Sequence, residues 1–261
     1  MNRGVFLCIS GVAGLFWSSS FVDAQQSASR VDGVWSSTLT TPNHSGWRIE
    51  DHLCGVCTPS EHRQLQRLIA DPTNNARGLR ELQQEAGTAA RQQIEQTVTA
   101  AGRERRARIE QPADESETCN PPNLLLVATG PLPIAIEVRD DHVILRNQHW
   151  NVVRTVPLSA KAPVATGEPS LYGDATARFE ESTLVIESVN VRPMVTPEAV
   201  TTERASVVER YTASADGTRL DLTVEIRDPD TYGEPRVLYR PRMRTPDVKL
   251  VDDAPCANLE D

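Results

Sequence analysis

The sequence predicts an α+β protein, mainly β, with an antiparallel barrel-like sheet or sandwich and a two-helix segment near its N-terminus. Three observations predict it. Leu220, Leu222, Val224 and Ile226 alternate with Asp221, Thr223, Glu225 and Arg227, a period of two that marks a strand with one buried and one wet face. Asp216-Gly217 separates that run from Val207-Val208-Glu209-Arg210-Tyr211, the pattern of a tight hairpin. Further short apolar runs with turn residues between them follow Cys119, whereas residues 59–101 space their apolar residues by threes and fours.

Taken in order, the chain begins with Arg3, an apolar stretch from Val5 to Trp17 and an A-x-A-like Val22-Asp23-Ala24. This reads as a signal peptide over 1–24, whose apolar run is too short for a membrane span of about 20 residues. A periplasmic or secreted protein that is not an integral membrane protein is expected. Residues 25–58 hold a first strand, around Val31-Asp32-Gly33-Val34-Trp35-Ser36, and a polar loop from Thr40 to His52. The helical segment, 59–112, opens on Thr58-Pro59-Ser60-Glu61, a capping box with proline at the first helical position. Leu65, Leu68 and Ile69 form its stripe, and Asp71-Pro72 ends it. Asn75 is the expected cap of a second, longer helix with the stripe Leu79, Leu82, Ala86, Ala90, Ile94, Val98 and Ala101. The basic cluster Arg103–Arg108 is read as a solvated helix end in preference to an anion-binding site.

The β domain is expected over 119–256. Its runs are Leu124–Val127, Ile134–Val138, His142–Leu145, Val152–Val156, Ala177–Glu180, Thr183–Glu187, the central hairpin and Arg236–Met243. Arg236, Arg240, Arg242 and Arg244 share one face of the last strand, and a charge ladder with Asp221 and Glu225 is the reading preferred over an anion-binding stripe.

Composition narrows function. The net charge of -9 argues against nucleic acid or anionic lipid surfaces as partners, and 5% aromatics argue against a large aromatic recognition surface. The five histidines make no H-E-x-x-H pair, and the chain has no G-x-S-x-G, phosphate loop or dinucleotide fingerprint. No catalytic residue, metal ligand or cofactor is therefore assigned, and a non-enzymatic protein is expected. Cys54, Cys57, Cys119 and Cys256 remain after the leader, an even count that reads as two disulfides in an oxidising compartment. A redox Cys54-Gly55-Val56-Cys57 pair is the weaker alternative, and zinc weaker still.

Gly33-Val34-Trp35 is similar to the opening of lipocalin-like (calycin) barrels, where the tryptophan closes one end. The pattern Gly173…Ala177-Arg178-Phe179-Glu180…Thr183-Leu184-Val185-Ile186-Glu187, then Thr202-Glu203-Arg204…Val208-Glu209-Arg210-Tyr211, then Asp228-Pro229…Tyr232…Pro235 resembles an uncharacterised family of exported bacterial β-rich domains. Phe179 stands where that pattern has Trp, and Glu181 where it has Gly. The resemblance implies export and a β fold and carries no activity. Disulfides Cys54–Cys57 and Cys119–Cys256 fit it, the late cysteine closing the β domain on its start. Pairings of the CxxC with Cys119 or Cys256 are the competitors.

The leading functional expectation is binding of a small or apolar ligand in the barrel, lined by Trp35, Glu209, Tyr211, Leu222 and Val224. Glu209 shares a face with Val207 and Tyr211, so it reads either as a ligand anchor or, preferred, as a carboxylate paired with an arginine or set at the barrel mouth. The alternative is a cell-envelope interaction module that docks a partner on the 79–101 helix face. Third comes a thiol-disulfide redox protein acting through the CxxC.

Overall fold

A computed structural model describes residues 30–37, 57–108, 121–196 and 199–251. The leader and its cleavage site, and Cys54, Cys119 and Cys256, lie outside the described residues.

The strands are β1 (Gly33–Ser37), β2 (Ile134–Val138), β3 (His142–Asn147), β4 (Val152–Pro157), β5 (Asp174–Glu180), β6 (Thr183–Val189), β7 (Ser206–Ala213), β8 (Arg219–Arg227) and β9 (Arg236–Arg244). They form one antiparallel sheet in the order β4-β3-β2-β1-β9-β8-β7-β6-β5. The two outer strands meet just beyond β4, where Leu158 bridges Ala177 and the Ser159 N–H donates to the Ala177 carbonyl at 2.8 Å. The sheet is thus a nearly closed barrel, which leaves little strand edge exposed. Alternation decides which side chains go inward: Leu220, Leu222, Val224 and Ile226 are all fully buried, and on β4 the inward set is Val152, Arg154 and Val156.

The turns follow from local chemistry. Gly217 takes φ +70 between β7 and β8, while Asp216 accepts from the Thr218 N–H and from the Ser214 and Thr218 hydroxyls. Glu181 takes φ 51 in the β5–β6 turn, a left-handed conformation that glycine supplies at lower cost.

The helices are α1 (Pro59–Ala70), α2 (Leu79–Thr97), α3 (Ala100–Arg108) and α4 (Leu124–Thr129). α1 starts on the capping box the sequence predicts: Thr58 accepts from the Glu61 N–H, and Glu61 from the Thr58 N–H. Three sequence expectations change. The second helix is capped at Gly78, not Asn75, because Pro72–Asn74 form a 3-10 turn that absorbs Asn75. It also does not run on to Ala101. Val98 and Thr99 leave the helix after Thr97: Val98 bridges Tyr232, and the Thr99 N–H donates to the Thr231 carbonyl at 3.0 Å. Leu124–Val127 is helix rather than strand, since the Asn123 side chain caps it by accepting from the Leu126 N–H at 3.1 Å. A short apolar run has no periodicity to separate the two outcomes.

Candidate functional site in the barrel interior

Rows of residues cross the inner face from strand to strand. Leu184, Tyr211, Leu222 and Arg240 form one row on β6–β9, and Ile186, Glu209, Val224 and Leu238 the next. Glu209, Tyr211, Leu222 and Val224 therefore share one buried patch. Trp35 belongs to the same core where β1 meets the end of β9. Its indole N–H donates to the Val31 carbonyl at 2.8 Å, and the Arg244 guanidinium sits 4.4 Å above its ring.

Glu209 faces an arginine that sequence reasoning did not single out. Arg154 reaches it from β4 with two bonds, Nη2 to Oε1 at 2.7 Å and Nη1 to Oε2 at 3.0 Å. The Tyr211 hydroxyl donates to Glu209 Oε2 at 2.6 Å. Burial works against the Arg154 charge, but the Glu209 carboxylate outweighs it and holds the guanidinium above its ordinary range. Burial, then the neighbouring Glu209 charge, push the Tyr211 phenol well above its usual value. With both oxygens taken, Glu209 is a structural acceptor rather than a free base. The one available sequence signal was an arginine in step with Val152 and Val156 on an apolar face.

The expected charge ladder on β9 is overturned. Arg240 and Arg242 lie on the same side as Leu238 and point into the barrel, 4% and 0% exposed. Their register partners on β8 are Leu222 and Leu220, while Asp221 pairs with Pro241 and accepts from the Tyr239 hydroxyl at 2.6 Å. The two arginines hold the C-terminal end of α4 instead. Arg240 Nε donates to the Thr129 carbonyl at 2.6 Å, and Arg242 Nη2 to Ala128 and Gly130 at 3.2 and 2.8 Å. Asn147 takes the Val127 carbonyl and the Gly130 N–H takes that of Leu126. Every carbonyl that the helix end leaves open is thus met. Arg242 also donates to Leu132 at 2.9 Å, and its Nε has no acceptor among the described residues. Burial lowers this guanidinium to about 10.

Leu124, Leu125 and Ala128 of α4 pack in the same core as the inward strand residues. Beside them is a void of about 10 Å³ lined by Val127, Ala128, Leu145, Asn147, Arg154 and Tyr211, room for about one water.

The helix face proposed for a partner is divided. Leu82 and Ala86 pack on Leu65 of α1, and Val98 is buried at its bridge to Tyr232. Ile94 instead lines an open groove of about 300 Å³ with Pro59, Arg63, Pro235 and Arg236. Cys57 is buried and paired by its backbone to Tyr239, whose ring lies 4.7 Å from that of His62.

Among the described residues no three His, Cys, Asp or Glu side chains group as metal ligands, and no helix is long and apolar enough to cross a membrane. No protein-family profile matches the chain, and no curated protein is similar to it. Among solved structures, a secretary abundant heat soluble (SAHS) protein from Ramazzottius varieornatus is similar over 50% of this chain and 82% of its own. The identity is 13% and the TM-score 0.29, a likeness at which neither fold nor function is carried across.

Proposed function

We propose that the chain is an exported, non-catalytic binding protein whose barrel takes up a small or apolar ligand. The observation that carries this reading is the presence of α4 in the core. The strands' own side chains do not fill the space they enclose, and a six-residue segment of chain makes up the difference. A barrel of about eight strands has an interior of the size that either packs shut or holds one small ligand. Glu209, Arg154 and Tyr211 supply a fixed polar point on an otherwise aliphatic wall that includes Ile136, Leu184, Leu222 and Val224, the mixture typical of ligand pockets. Export is read from the leader, and disulfides rather than redox chemistry from the even count of cysteines after it together with the burial of Cys57.

A partner-docking role for the helices is the second reading, favoured by the groove at Ile94, Arg63 and Arg236. Native mass spectrometry of protein purified from its own compartment separates the two. A bound small molecule, together with saturable uptake of an environment-sensitive dye by protein that still melts cooperatively, supports the barrel reading. A co-purifying protein, with no dye uptake by the folded chain, overturns it.

A further inference from the structure

We infer that α4 is a displaceable plug standing in the ligand's place, and that the ligand is an amphiphile with one anionic head. The inference rests on the binding reading above and names its ligand class.

The first ground is charge. Arg242 is 0% exposed, yet among the described residues its partners are the backbone carbonyls of Ala128, Gly130 and Leu132, and its Nε has none. A buried guanidinium without a carboxylate is expensive to maintain. Arg154 has its carboxylate in Glu209, whereas Arg242 has, among the described residues, only neutral oxygens. A carboxylate or similar head on Arg242 makes charge-assisted bonds roughly twice as strong as those to neutral carbonyls.

The second ground is how α4 is held. Six residues are too few to be a stable helix alone, and no strand ladder includes them. The segment is fixed by its Asn123 cap, by side-chain bonds from Asn147, Arg240 and Arg242, and by the packing of Leu124, Leu125 and Ala128. An amphiphile replaces those contacts in kind, its head for the carbonyl end of α4 and its tail for the leucines. The void beside α4 among the described residues, about 10 Å³, is too small for any such molecule, so uptake at this place requires α4 to leave. The arginines concerned are interior, so the acidic surface of the chain is no obstacle beyond a slower approach.

The full chain, disulfides intact, is titrated with dodecanoate and with dodecanol below their aggregation limits, following heat, native mass and amide exchange. One dodecanoate is expected per chain, bound about tenfold more tightly than dodecanol, with amide protection lost over residues 124–129. R242M should shrink the preference for dodecanoate toward one. L124S, which loosens α4 without touching the arginines, should tighten both ligands and keeps the test alive if R242M fails to fold. Equal affinity for the two ligands overturns the anionic head and leaves the binding reading standing. Binding with 124–129 still protected overturns the plug. Binding of neither ligand, by wild type or by L124S, overturns this inference, and the binding reading falls with it only where the folded chain also takes up no dye.

Discussion

The barrel and the α1–α2 hairpin are built from similar aliphatic residues but hold together in different ways. In the barrel, inward side chains pair in rows across neighbouring strands, and Trp35, Tyr211 and α4 join them in one continuous core. The helical hairpin has a separate small core of Leu65, Leu82 and Ala86, edged by Leu68, Ile69 and Leu79. It is tied to the barrel by a few backbone bonds: Cys57 with Tyr239, Thr97 with Gly233 and Thr99 with Thr231. The barrel should therefore unfold as one unit, while the hairpin opens at lower free energy.

The largest effect should come from breaking the ion pair that spans the barrel. Arg154→Leu or Glu209→Leu alone strands a buried charge, at a cost of about 3–5 kcal/mol. The double variant should recover most of that loss, as buried pairs often exchange for apolar side chains at little net cost. Denaturant melts of the four proteins give the coupling directly. Single variants that each lose under about 1 kcal/mol would mean that the pair does not join β4 to β7.

The comparison itself is tested by matched truncations. Leu222→Ala should cost about 2–5 kcal/mol and lower the whole barrel's midpoint. Leu82→Ala should cost about 2 kcal/mol, at the lower end because the small helical core relaxes into the cavity, and should raise amide exchange in residues 59–97 first. If both variants shift one transition by equal amounts, the hairpin is part of the barrel's cooperative unit.

The same contrast explains how much the sequence disclosed. β8 was legible because one buried and one wet face leave a strict alternation from Leu220 to Ile226, and α1 because its capping box is local. The barrel's polar interior was not. Arg154, Arg240 and Arg242 look like surface residues in one dimension, and only the register that places them beside Leu145, Leu222 and Leu220 turns them inward. α4 escaped for a related reason: six apolar residues are helix or strand according to what surrounds them, and its surroundings come from strands far along the chain. The candidate ligand residues on β7 and β8 could be named because they lie on the alternating strands. Their arginine partner could not, since nothing local joins residues 154 and 209.

A smaller effect should appear at the joint between the two regions. A Cβ on Gly102 would stand 2.4 Å from the Thr231 carbonyl oxygen, a backbone atom that cannot swing aside. Gly102→Ala should therefore move α3 off the 228–233 loop at a cost of about 1–3 kcal/mol. The expected signature is faster exchange of the Thr99 and Gly233 amides with the barrel's midpoint unchanged. A drop in that midpoint as large as for Leu222→Ala would show that this joint supports the barrel.

The smallest effect is electrostatic and lies in the β7–β8 turn. Bonds from the Ser214 hydroxyl and from the Thr218 N–H and hydroxyl lower the Asp216 carboxyl from 3.8 to about 2. A carboxyl depressed in the folded state stabilises it above the unfolded value, and that contribution is lost as pH falls through the folded one. The window is therefore from about pH 4 down to about pH 2. Asp216 is fully exposed, so solvent screens the effect and it should remain small. It belongs to the barrel, because Asp216 closes the hairpin between β7 and β8, while Glu81 and Glu85 of α2 pair with Arg77 in the turn before that helix. Asp216→Asn keeps the turn's shape beside Gly217 but removes the titration. The variant should lose less stability than wild type between pH 4 and pH 2 while matching its hairpin exchange at neutral pH. Parallel acid profiles for the two proteins, or a titration of Asp216 near its ordinary value by carboxyl-carbon NMR, would show that these bonds do not hold the turn in solution.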